Sequence, residues 1–171
     1  MEKIATISRR CRILFTILGV AALVCTLGMW LFMSPNLAAL LGVSEPVTIT
    51  PLTKVLGLVI TLIPLGIIFY GLRQLIILFK HYERGEIFTL LNALILRKIG
   101  FLFYVWIGCQ VVYSTLFILV LTFKNPPGQK ILQISVGSDS ILPFVVGSII
   151  ILISWVLVEA QKVSDEHALI P

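Results

Sequence analysis

The stretch "LTKVLGLVITLIPLGIIFYGLRQLIILF", residues 52–79, carries only Lys54 and Arg73 as charged residues, and nothing between Val55 and Leu72 is charged. A helix needs about 20 predominantly apolar residues to cross a hydrocarbon core. A core helix of a soluble domain would show a polar stripe, whereas this run is apolar on every side. It reads as a transmembrane helix. Pro64 lies near its middle, between Gly57 and Gly66. Proline has no amide hydrogen, so the carbonyl of Ile60 loses its helical donor and a kink is expected there.

Three further runs of the same kind flank it, at about 13–33, 101–123 and 141–158. Hydrophobic residues make up 58% of the 171, charged residues 12%, and mean hydropathy is +1.07, far from the roughly one-quarter charged composition of a soluble domain. Peptide groups inside a bilayer have no water to bond, so spanning segments close their own hydrogen bonds as helices, and no run alternates as a barrel strand would. The fold class expected is all-α, an integral membrane four-helix bundle forming a single domain over 1–171. The first run follows Lys3, Arg9, Arg10 and Arg12, as a signal peptide would, but it exceeds the length of a signal h-region, and we read it as a retained anchor.

Lysine and arginine are unevenly distributed. One side would hold Lys3, Arg9, Arg10, Arg12, Arg73, Lys80, Arg84, Arg97, Lys98 and Lys162, and the other Lys54, Lys124 and Lys130. The positive-inside rule then puts both termini and the 80–100 segment in the cytoplasm. The net charge of +5 thus suits anionic lipid headgroups, membrane lipid being the first partner implied, and direct nucleic-acid binding has no basic fold outside the bilayer to support it. Cys11, Cys25 and Cys109 have neither the spacing of a disulfide framework nor that of a zinc site. In the outer loops, "ILQISV" alternates as a short strand does, and its pairing with 47–50 would form a small two-stranded cap from 131–136 and 47–50.

Polar residues inside the spans are sparse. Gln110, Tyr113 and Ser114 share one helical face, at i, i+3 and i+4, and in hydrocarbon that face should seek partners on a neighbouring helix or on a second copy in a homo-oligomer. Arg73, near the end of the second span, is expected either to snorkel or to pair with Glu159 at the end of the fourth.

Between the second and third spans lies "KHYERGEIFTLLNALILRKIG", residues 80–100. Gly85 permits the positive φ of a tight reversal. Thr89 is placed to cap a new helix through the amide of Leu91 or Asn92, with Phe88 before it packing back to set the entry angle. The helix beginning at Leu90 would be either a short interfacial helix or the start of the third span. Glu83, Arg84, Gly85, Glu86, Ile87, Phe88 and Thr89 form a compact charged corner, the candidate docking surface for a partner.

The string Tyr82, Gly85, Glu86, Ile87, Phe88, Thr89, Asn92, Arg97, Ile99 and Gly100, with the closing Lys162, Asp165, Glu166, Leu169 and Ile170, resembles the small bacterial membrane proteins grouped as domain of unknown function 2975. The resemblance implies four helices in a bacterial plasma membrane and no assigned reaction. Members are often encoded beside a small helix-turn-helix regulator, which implies a cytoplasmic protein partner for the elbow and the tail, 159–171.

Enzymatic function is not expected. The chain has two histidines, His81 and His167, and no Ser-His-Asp set, HExxH or phosphate-binding glycine loop, so no catalytic residue, metal ligand or cofactor is assigned. The function expected is a membrane-embedded interaction or regulatory protein. The alternative is an oligomeric small-solute or ion transporter or channel using the polar face of the third helix. The topology is checked by thiol labelling in a background lacking the native cysteines. Val47→Cys should react with a membrane-impermeant maleimide in intact cells, and Glu86→Cys only after permeabilisation.

Overall fold

A computed structural model describes residues 2–40, 49–87, 89–122 and 140–168, with side chains over 4–38, 49–87, 89–121 and 140–162. Its elements are α1 (Glu2–Leu31), α2 (Pro35–Leu40), α3 (Pro51–Glu83), α4 (Leu90–Thr122) and α5 (Ile141–Ala168). Among the described residues there is no strand, and four helices are long and apolar enough to cross a membrane: Ile4–Leu31, Pro51–Glu83, Leu90–Leu121 and Ile141–Lys162. This is a multi-pass helical membrane protein.

Two helix starts follow directly from local chemistry. Ser34 and Thr50 each precede a proline, which suits the first helical position because its missing N–H would be unpaired there anyway. The Ser34 hydroxyl accepts from Leu37 N at 3.3 Å and the Thr50 hydroxyl from Thr53 N at 3.3 Å. Thr50 therefore ends as the cap of α3. Of the expected two-stranded cap, Ile49 and Thr50 are not strand. Residues 47–48 and 131–136 lie outside the described residues.

The chain divides into two compact units. Unit 1 comprises Met1–Gly19, Ile67–Ile107 and Ser138–Pro171. Its core is Leu78, Ile95 and Ile99, with Leu75, Phe103 and Ile150 packed around them. α1 lies along α3 through an Arg12–Glu83 ion pair at 3.1 Å and a Phe15–Phe79 ring contact at 5.6 Å. α4 and α5 approach closely at two glycines, Gly100 and Gly147. A Cβ on Gly147 would sit 2.9 Å from the Cβ of Phe103 and 3.0 Å from the carbonyl of Gly100. Close backbone approach at small residues is how membrane helices gain packing without a hydrophobic drive between them. One turn on, Tyr104 and Ser148 share a 2.8 Å hydrogen bond.

Unit 2 comprises Val20–Gly66 and Gly108–Gly137. Trp30, 2% exposed, donates from its indole to Thr61 Oγ1 at 2.9 Å, and that hydroxyl donates to Gly57 O at 2.7 Å. Gly57 lies against the Trp30 ring, in space no side chain could share. Lys54 donates to the carbonyl of Leu31 at 2.9 Å, a cation on the C-terminus of α1 where the helix dipole favours it. Pro64 is buried within α3, which continues without a break on both sides of it.

The alternative of a separate interfacial helix after the second span is corrected. Residues from Leu90 onward run straight through as α4. The stretch contains no proline, and Gly100, its one weak helix former before the span, is buried against α5, so packing offsets its low propensity.

These contacts predict opposite outcomes for two glycines. Gly147→Ala should destabilise the detergent-solubilised protein by about 1–3 kcal/mol through overpacking. Gly108→Ala, with nothing within 4 Å of the new methyl, should be neutral or stabilise by up to about 1 kcal/mol. Unfolding in mixed dodecyl maltoside and SDS reads both.

Candidate functional site

The reversal between α3 and α4 is assembled from two helix ends. α3 closes in a Schellman arrangement, in which Glu86 N donates to His81 O at 3.1 Å and Gly85 N to Tyr82 O at 3.1 Å. This requires a left-handed residue at position 85, and Gly85 has φ 83°. Among the described residues no non-glycine has positive φ. α4 opens with Thr89 as its cap, which accepts from Asn92 N at 3.3 Å on its hydroxyl and from Ala93 N at 3.2 Å on its carbonyl. The predicted roles of Gly85 and Thr89 are both realised, the latter with Asn92.

Asn92 links the two ends. It is completely buried, at 0% exposure. Its Nδ2 donates to Ile87 O at 3.1 Å and also to Glu86 O. Its Oδ1 lies 2.8 Å from His81 Nδ1. Because both carbonyls demand donors, the amide orientation is determined, and His81 must donate from Nδ1. The side chain thus satisfies the carbonyls left over by the loop and ties them to the last turn of α3. Sequence reading placed Asn92 in the family pattern and as one of two amides that Thr89 could cap, and His81 as one of the two histidines, without joining them. An asparagine at the N3 position of a helix otherwise rich in Leu and Ile is the signal that could have flagged a buried polar clamp.

The docking residues fare unequally. Arg84, Gly85 and Glu86 are exposed. Glu83 is partly buried and engaged with Arg12, Ile87 is half-buried, and Thr89 is committed to the cap. Phe88 lies outside the described residues. A cavity of about 250 Å³ adjoins the turn, lined by Ile4 and Ala5 of α1 and by Tyr82, Arg84, Gly85 and Ile87. The tail continues α5 to Ala168, and its side chains from 163 onward are outside the described set.

The predicted Arg73–Glu159 pair is not formed, and the polar residues of the third span, though on one helix face, are bonded locally or not at all among the described residues. Glu159 pairs with Lys162 on its own helix at 3.4 Å, and Arg73 is exposed with no carboxylate beside it among the described residues. The reason is depth. Gly71 faces Leu102, and Gly100 faces Ile151, so Arg73 lies near the level of Ile151. Glu159 is eight residues further along α5, about 12 Å away at 1.5 Å per residue. In the third span, Ser114 donates to Val111 O on its own helix at 3.0 Å, and Tyr113 stacks near Phe117 at 5.6 Å. Gln110 is exposed and has no hydrogen-bond partner among the described residues. It lies about 60° around the helix from Tyr113, on the flank of the aromatic contact.

The family model described as "Protein of unknown function (DUF2975)" matches residues 9–170. The chain belongs to this family. No curated protein and no solved structure matches it. For a DUF2975 protein, the motif around 82–100 therefore has a physical reading: Gly85 for the left-handed turn, Thr89 for the cap and Asn92 for the clamp.

Removing the clamp should be costly, since each buried polar group left unpaired costs about 1–3 kcal/mol. Asn92→Ala should destabilise by about 3 kcal/mol or more. Asn92→Asp, though isosteric, should do no better, because it presents oxygen to two carbonyls. His81→Ala should cost less than either, as only one acceptor loses its donor. Detergent unfolding curves rank the three.

Proposed function

We propose that this protein is a non-enzymatic regulatory or interaction protein of the bacterial plasma membrane, with both termini and the 80–100 elbow in the cytoplasm. Its partner is a cytoplasmic protein, of the kind a small helix-turn-helix regulator would be. The single observation that carries this reading is the Asn92 clamp. It ties the carbonyls of Glu86 and Ile87 to the last turn of α3 through His81, while Arg84, Gly85 and Glu86 remain open. A loop already ordered loses little entropy when a partner binds, and that is a principal cost of recognition. The exposed charges of both signs lie beside a cavity, which offers a partner both ionic and steric features to engage.

A solute pathway draws less support. Ser114 and Tyr113 are engaged locally, and α4 carries no carboxylate or cationic side chain near Gln110, where functional pathways usually place one. The exposed amide of Gln110 fits self-association instead, since in hydrocarbon it gains a partner from a second copy.

The test is site-specific photocrosslinking in cells, with probes at Glu86, at Arg84 and, at the opposite end of α3, at Leu52. A discrete adduct with a cytoplasmic protein from the two elbow positions alone is the expected result. Adducts only to lipid or to the protein itself would reduce the elbow to a structural corner.

A further inference from the structure

On another side of unit 1, α4 and α5 separate beyond the Gly100–Gly147 contact and leave a cavity of about 260 Å³. Its walls include Leu94 and Arg97 from α4 and Trp155, Val158, Glu159 and Lys162 from α5. Its level along the helices is informative. On α4, Arg97 and Lys98 are the last charges before an uncharged run from Ile99 to Thr122. On α5, Glu159 is the first charge after an uncharged run from Ile141 to Val158. The cavity therefore straddles the level where both apolar spans end, which in a bilayer is the headgroup region.

Charge and surface point the same way. Glu159 and Lys162 form an exposed pair at 3.4 Å, and exposed pairs of this kind are weak enough to exchange partners. Arg97 forms no ion pair among the described residues, and the one carboxylate that shares the cavity, Glu159, is engaged by Lys162. Its guanidinium instead lies over the Phe101 ring at 5.8 Å, an arrangement that orients the cation without neutralising it. Lys98 is exposed next to it. Below the cations the surface is apolar, with Trp155 61% exposed and Leu152 63% exposed. Tryptophan at such a boundary sits where acyl chain meets headgroup. A free anion would have use for the cations alone, whereas this surface joins them to an apolar wall.

We propose that this cavity binds the phosphodiester headgroup of an anionic phospholipid. Arg97 and Lys162 hold the phosphate, Trp155 packs at the glycerol level and the acyl chains lie along the exposed α5 surface. Basic pockets between helices at a cytoplasmic membrane face are suited to such headgroups. A zwitterionic lipid brings its own cation and gains less from the excess positive charge. The site is separate from the elbow reading and stands without it.

The experiment is native mass spectrometry of the full chain in dodecyl maltoside, titrated with dioleoyl phosphatidylglycerol or dioleoyl phosphatidylcholine. The first phosphatidylglycerol should bind more tightly than phosphatidylcholine. Arg97→Gln should weaken it about fivefold, the effect of one cation at a membrane surface. Lys162→Gln should weaken it in the same direction, and Lys80→Gln, an exposed cation on α3, should leave it unchanged. Should Arg97→Gln not yield folded protein, Lys162→Gln against Lys80→Gln decides. Equal binding of the two lipids, unchanged binding in the cavity variants, or an equal loss in Lys80→Gln would overturn the proposal. So would displacement of phosphatidylglycerol by equimolar glycerol phosphate, which would make the site one for a free phosphate ester.

Discussion

Where one membrane helix ends and the next begins within a few residues, carbonyls at the first terminus and amides at the second are left without helical partners, and the residues between them bond to neither helix. At the α3–α4 reversal that shortage is met from inside. Gly85 turns the chain so that two amides return to α3, and the side chain of Asn92 satisfies two carbonyls and engages His81. A hydrophobic residue at 92 would leave those carbonyls and His81 without the amide that now engages them. The geometry of unit 1 at this end, including which elbow residues stay open, depends on that one amide.

The same economy of polar groups governs the helix contacts. Hydroxyls in the spans are mostly turned back onto their own helices: Thr16 to Arg12, Thr26 to Ala22, Thr61 to Gly57 and Ser154 to Ile151. Interhelical contacts are then left to close backbone approach, as at Gly100 and Gly147, to ring pairs such as Phe15–Phe79, and to a few directed bonds such as Tyr104–Ser148. This leaves large apolar surface outward on every long helix, which a bilayer covers and water would not.

Function, on this reading, gathers where the apolar spans give way to charge. The elbow presents a hydrogen-bonded turn with Arg84 and Glu86 exposed, and the α4–α5 cavity presents cations above an apolar wall. The two surfaces call for different chemistry, a folded protein in one case and a lipid headgroup in the other, and they share α4. A ligand at Arg97 would act on the helix whose first turn carries Asn92. That connection is available for communication between membrane composition and a docked partner.

Much was legible in the chain itself. Length and polarity of the four runs determined membrane helices because a bilayer demands about 20 apolar residues and tolerates no unpaired backbone. Gly85 and Thr89 declared their positions because left-handed φ and N-caps are local requirements, met by particular residue types within a few residues. The pairing of Arg73 with Glu159 was misread because depth depends on how far one helix slides along the next, which side-chain packing sets and spacing does not reveal. The clamp made by the Asn92 side chain was not read for a related reason. Its partners lie five to eleven residues back across a turn, and only the folded reversal brings His81, Glu86 and Ile87 to one amide.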